Sequence, residues 1–265
     1  MGSVTPRSDS VPIPVAAPAR VADRLAAAPD GPVSVLHACR DTLHLDVAGH
    51  AVGVLAAGAT GLPHALRSRL PSVSEPESSG VGVSAYLESG TLHLRGRALV
   101  IRRLVDVRAP RFDAARGPRT SPVVDEGTPR SPDAGLVALL RRLAHGVDSE
   151  GVAALVGRGD GLTPLGDDVL CGWLVAHRAA GVPTPAVDAA VRRALPRTTT
   201  LSATLLECAL AGEAADPALG YLRALGSPRE SAARSLLLEL GHSSGAGLAH
   251  GIDLAIATMS REVAA

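Results

Sequence analysis

The stretch ALVIRRLVDVRAPRFDAARGPRTSPVVDEGTPRSPDAGLVALLRRLA, residues 98–144, holds the change of period that decides the fold. Its first ten residues are rich in Val, Ile and Leu and follow the two-residue alternation of a half-buried strand. Its last eleven place Leu136, Leu139, Leu140 and Leu143 at the i, i+3, i+4, i+7 spacing of a helix with one apolar face. Between them, residues 109–133 carry five prolines and little apolar periodicity, which predicts a linker or a long surface loop.

Upstream of the switch the period stays at two. VSVLHAC, TLHLDV, AVGVLA, VGVSAYL and TLHLRG read as short strands, and Ser89-Gly90 and Gly96-Arg97 punctuate hairpins. Residues 33–107 therefore predict an antiparallel sheet or a small barrel. Residues 19–28 predict a short helix, and residues 1–18, with four prolines, a flexible leader. Downstream the period is helical, with segments at about 134–146, 149–156, 164–180, 185–195, 200–212, 216–225, 228–240 and 244–260. Thr163-Pro164 and Ser227-Pro228 mark helix starts, while Gly181, Gly226 and Gly241 mark ends. The expected fold class is α+β: a leader at 1–18, an antiparallel β-rich domain at 19–108, a linker at 109–133, and a helical domain at 134–265 packed with it.

Composition removes many chemistries. The 26 basic and 26 acidic residues cancel, and a chain without net charge has no electrostatic case for nucleic acid. No Lys, Asn or Gln occurs, so a Walker-type phosphate loop and Schiff-base chemistry fall away. Four aromatic residues, Tyr86, Phe112, Trp173 and Tyr221, are too few for a base-stacking platform. Cys39, Cys171 and Cys208 have no metal-ligand spacing and no even-numbered framework, which predicts a reducing, cytoplasmic compartment. No window carries the apolar length of a signal peptide or a membrane span.

One segment stands out: GRGDGLTPLGDDVLCGWLVAHRAAG, residues 157–181. Its glycines at 157, 159, 161 and 166 allow tight backbone approach. Thr163 reads as an N-cap and Pro164 as the first helical residue. The plain reading is a tight turn into a helix. The functional one is an anion site in which free N–H groups at the helix start and Arg158 face a phosphate or carboxylate, with Gly159, Gly161 and Thr163 beside it.

The helix that follows is apolar nearly all round, so Trp173 should be buried. Asp167 and Asp168 sit about 100° apart on its wheel, so both cannot reach the same solvent and at least one is buried. A buried carboxylate is hydrogen-bonded, metal-bound or protonated. The pair is either a set of caps for nearby N–H groups or an acid/base pair; no metal is fixed by the residues, and Mg²⁺ on Asp167 and Asp168 is the ion such a pair would take. The wheel puts Asp167 beside the Leu170–Leu174 stripe, which favours Asp167 as the functional carboxylate and Asp168 as the structural one.

Two more small-residue helix starts accompany it. Arg197 to Ser202 is rich in hydroxyls, with Thr200 and Ser202 as candidate anion contacts. GHSSGAGLAHG, residues 241–251, offers Ser243, Ser244 and Gly245 at a helix joint, with His242 a weaker acid/base candidate. Each reads first as a cap; together they build a site for a small anion if they converge.

These motifs resemble a known bacterial family. GRGDGLTPLGDDVLCG is similar to the G-x-G-x-G-L-T-P-S-G-D-D-x-L-x-G signature of the AllH-like family, one branch of which is the AllH subunit of oxamate carbamoyltransferase. Thr198 to Ser202 and Gly241 to Gly245 resemble its other two joints, and the likeness extends over about residues 20–260. It implies a subunit of a multi-subunit carbamoyl-transfer system that splits oxalurate in allantoin and purine-nitrogen breakdown, with companion protein subunits and a small anionic substrate. The chain departs from the pattern at Leu165, where Ser is usual, and at Ala246 and Gly247, where an aromatic and an acidic residue are usual. A non-catalytic scaffold and a Mg²⁺-dependent enzyme using the Asp pair are the alternatives.

Overall fold

A computed structural model describes residues 12–73, 84–112, 134–143 and 146–264. The chain divides into two compact units, Met1–Asp106 and Val107–Ala265.

The first unit is a nine-stranded, nearly closed barrel-like sheet. Its strands are β1 (Ile13–Pro18), β2 (Gly31–Pro32), β3 (Ser34–Ala38), β4 (Thr42–Val47), β5 (His50–Leu55), β6 (Ala65–Arg67), β7 (Ala85–Glu88), β8 (Thr91–Leu94) and β9 (Arg97–Val105), in the order β2-β7-β8-β9-β1-β6-β5-β4-β3. Helix α1 (Ala19–Ala27) buries Val21 and Leu25. The hairpins expected from the period-two pattern pair antiparallel.

Two expectations need correction. The sheet is mixed, because β1–β9 and β5–β6 are parallel; alternation identifies strands but carries no information on which strand lies beside which. The expected leader also contributes β1, near the middle of the sheet, with Ile13, Val15 and Ala17 buried. Toward β6 the ladder has one Cα pair, Ala16 with Arg67, so β6 asks no donor of Pro14 or Pro18, which stand opposite Val100 and Val105 of β9. Residues 1–11 of that leader, and 113–133 of the expected linker, lie outside the described residues. Residues 107–112 are held by the second unit: Ala214 donates to the Val107 carbonyl, Ala109 to Gly212, and Phe112 to Ala179.

The second unit contains α2 (Ala134–Arg142), α3 (Ser149–Leu155), α4 (Leu165–Ala180), α5 (Pro185–Ala194), α6 (Thr200–Leu210), α7 (Asp216–Ala224), α8 (Glu230–Leu238) and α9 (Ser244–Ala264). All eight lie where the helical period puts them. Helix α4 is the axis of its core: 13 of its 16 residues are buried, Trp173 included. It packs on α9 through a glycine seam. A Cβ on Gly172 would meet the Leu248 carbonyl oxygen at 2.2 Å, and one on Gly251 the Val169 oxygen at 2.0 Å. Only a hydrogen in place of a side chain lets the two backbones come this close. No described helix is long and apolar enough to cross a membrane.

Candidate functional site

The first turn of α4 sits in a joint made by the other two small-residue helix starts. Gly157 adopts φ +73°, and a Cβ there would meet the Arg197 carbonyl oxygen at 2.6 Å. This close approach brings the loop before α4 onto the start of α6. Thr199 caps α6, its hydroxyl accepting from Ser202 N–H at 3.0 Å and donating to the Leu162 carbonyl at 2.6 Å. Thr163 Oγ1 and Ser244 Oγ are 2.8 Å apart, joining the same loop to the start of α9. The three starts thus converge.

Asp167 and Asp168 are both buried, at 1% and 3% exposure. Their environments differ. Asp167 accepts from Gly157 N–H at 2.9 Å through Oδ1 and from the Thr198 hydroxyl at 2.5 Å through Oδ2. Burial raises its pKa, and the hydroxyls of Thr198 and Ser202 with the Gly157 N–H oppose the rise. The Ser202 hydroxyl lies near this carboxylate, yet it is buried without a hydrogen bond of acceptable geometry. Asp168 is more isolated. Its Oδ2 is buried with no partner. Burial holds its pKa well above the ordinary value of 3.8; the Ser244 hydroxyl opposes this, and the neighbouring Asp167 adds to it. Burial thus disfavours the charged form more strongly at Asp168 than at Asp167. Cys171, one turn along α4, has its thiol pushed well up by burial and by both carboxylates. Sequence reading gave Cys171 no role beside the pair; its i+3 and i+4 spacing was the available signal.

Several expected roles shift. Thr163 is not the cap of α4: the helix starts at Leu165, Pro164 occupies the cap position without a side-chain bond, and the Thr163 hydroxyl serves Ser244 instead. The N–H groups expected to face an anion are largely spent. Gly166 donates to the Arg158 carbonyl at 2.9 Å, Asp167 and Asp168 to that of Pro164, and Gly245 to that of Leu240. The Ser243 carbonyl accepts from Gly247, and that of Thr200 from the Thr204 hydroxyl. Gly159 and Gly161 are exposed, Arg158 is half-buried, and His242 is exposed on the turn before α9. The inward-facing loop that singled out Asp167 is the loop whose Gly157 N–H its carboxylate accepts.

The departures from the family pattern touch the same place. A Cβ on Gly247 would meet Asp168 Cβ at 2.6 Å, and Leu165 Cδ1 lies 2.9 Å from the same point. With Gly at 247 and Leu at 165, α9 backbone and a hydrocarbon cover Asp168. No group of three or more His, Cys, Asp or Glu able to hold a metal occurs among the described residues.

The site therefore defines a helical unit in which a buried, unequal carboxylate pair is clamped by glycine-rich and hydroxyl-rich helix starts. Residues 155–256, the stretch containing all three starts, match the family model described as oxamate carbamoyltransferase subunit AllH. No curated protein and no solved structure matches the chain.

Proposed function

We propose that the chain is a subunit of a carbamoyl-transfer enzyme of the oxamate carbamoyltransferase type, acting with companion subunits in the cytoplasm on oxalurate and carbamoyl phosphate. The observation that carries this reading is Asp168, buried, unpartnered at Oδ2 and with its pKa pushed up by burial, inside the stretch that matches the family. In the oxalurate-splitting direction a phosphate oxygen attacks the carbamoyl carbon and the bond from that carbon to the oxamate nitrogen breaks. That nitrogen must gain a proton. Asp168 donates it and regains one from the attacking hydrogen phosphate, so charge and protons balance. A neutral Asp168 also leaves one negative charge fewer to repel an anion beside the 157–164 loop, where Arg158 is the compensating cation. Asp167 acts as a positioning residue, fixing Gly157 and Thr198.

Reconstitution with its co-purified companion subunits tests this, assayed as carbamoyl phosphate formed from oxalurate and phosphate. Asp168→Asn should fold and lose about a hundredfold or more in turnover. Full turnover by that folded variant overturns the catalytic role. The second reading, a scaffold without chemistry of its own, is favoured by the mutual pairing of Thr163 with Ser244 and of Thr199 with Leu162.

A further inference from the structure

The far end of α4 borders a cleft of about 640 Å³, within the size range of small-molecule sites. Its floor is the Trp173–His177 pair, with ring centroids 3.7 Å apart and His177 Nδ1 held by the Trp173 carbonyl at 2.9 Å. His177 lies nine residues beyond Asp168, about 13 Å along the helix axis. Val147, Val182, Val187, Pro183 and Pro185 make its walls apolar.

One end of this cleft, at the start of α5, favours a negative charge. Pro185, Ala186 and Val187, the first turn of α5, line it. That helix start has no side-chain cap, because Thr184 donates its hydroxyl to Asp188 Oδ1 at 2.7 Å. The Ala186 and Val187 N–H groups therefore take no acceptor among the described residues. Trp173 Nε1 is likewise buried without a partner. Arg142 stands at the rim and makes no ion pair among the described residues. Of the nearby carboxylates, Asp148 accepts from Gly151 N–H at 2.7 Å and Asp188 from Arg178 at 2.5 Å. Asp148 and Glu150 are the two opposing charges on the lining; both are exposed to solvent, and Asp148 is spent on capping the start of α3.

We propose that this cleft binds a small organic monocarboxylate with a hydrocarbon body. The carboxylate faces the start of α5 and Arg142, where unpaired donors and the positive helix end meet. The hydrocarbon lies against Val147, Val182 and Val187 above the Trp173 ring. The site is separate from the carboxylate pair and does not rest on the carbamoyl-transfer reading.

Trp173 is the chain's single tryptophan, so its emission reads occupancy directly. The purified full chain is titrated with isovalerate, with the neutral isovaleramide, and with oxamate, which lacks the hydrocarbon. Isovalerate should give a saturable change with Kd below about 1 mM, and the amide and oxamate should bind at least tenfold more weakly. Arg142→Gln should weaken isovalerate about tenfold and the space-filling Val182→Phe should abolish the change, each with a melting curve to show folding. Asp168→Asn should bind as the parent does. Absence of saturation up to 20 mM, equal binding of acid and amide, or unchanged binding in folded Val182→Phe overturns the proposal.

Discussion

The Thr198 hydroxyl donates to Asp167 Oδ2 at 2.5 Å across 31 residues of chain, tying the start of α6 to the first turn of α4. Thr198→Val removes the donor and leaves a buried carboxylate oxygen unsatisfied. The variant should lose about 1–3 kcal/mol in urea unfolding, with an unchanged slope. A loss below about 0.5 kcal/mol would show that Gly157 alone suffices to hold Asp167.

Asp168 should make the helical unit less stable as pH rises. Its folded pKa lies well above the ordinary 3.8, so between those values the folded state binds more protons than the unfolded one. The stabilisation is fully present below pH 3.8 and is lost as pH climbs through the folded value. Asp168→Asn should flatten this slope and raise stability at pH 7, as measured by unfolding of parent and variant across pH 4–8.

The barrel unit should respond in the opposite sense. His44 and His64, with Nδ1 and Nε2 3.2 Å apart, have pKa values lowered to about 4 and about 3, by burial first. His37 adds to the shift at His44, and His44 and Arg24 add to it at His64. Their stabilisation is present above 6.5, the unfolded value, and is lost as pH falls toward 4 and 3. Hydrogen exchange at pH 7 and pH 5, corrected for intrinsic rates, should show protection falling in β4 to β6 and rising in α4 at the lower pH.

Glycines in α7 and α9 should respond with opposite signs to the same substitution. Gly251→Ala would put a Cβ 2.0 Å from the Val169 carbonyl and should cost about 1–3 kcal/mol or more by forcing α4 and α9 apart. A Cβ on Gly220, inside α7, meets nothing within 4 Å. Gly220→Ala should therefore stabilise by about 0.5–1 kcal/mol, since alanine loses less backbone entropy in a helix. Melting temperatures of the two variants check this.

The helical half is legible in the sequence because period and punctuation agree there: Gly181 ends α4 and Thr199 starts α6 through local chemistry that residue type reveals. The burial of at least one of Asp167 and Asp168 is legible for the same reason, being a property of one helix wheel; that both are buried is not. Partner choice is not. Pro14 and Pro18 argue for a loose leader until the single-pair β1–β6 ladder shows where they are tolerated. Likewise, which carboxylate is satisfied depends on Gly157 and Thr198, 10 and 31 residues from Asp167, and spacing does not encode that geometry. The Trp173 cleft draws on five separated segments and has no local signature.

The glycine seam between α4 and α9 also fixes when the site comes into being. Asp168 is translated some eighty residues before Gly247 and Gly251, which close over it, and contacts of such long range form late because their loop must be closed first. A nascent chain halted before residue 244 would carry the whole signature motif with its carboxylate still hydrated and therefore acidic. The raised proton affinity of Asp168 should therefore appear when α9 docks, which a pH titration of stalled and completed chains would time.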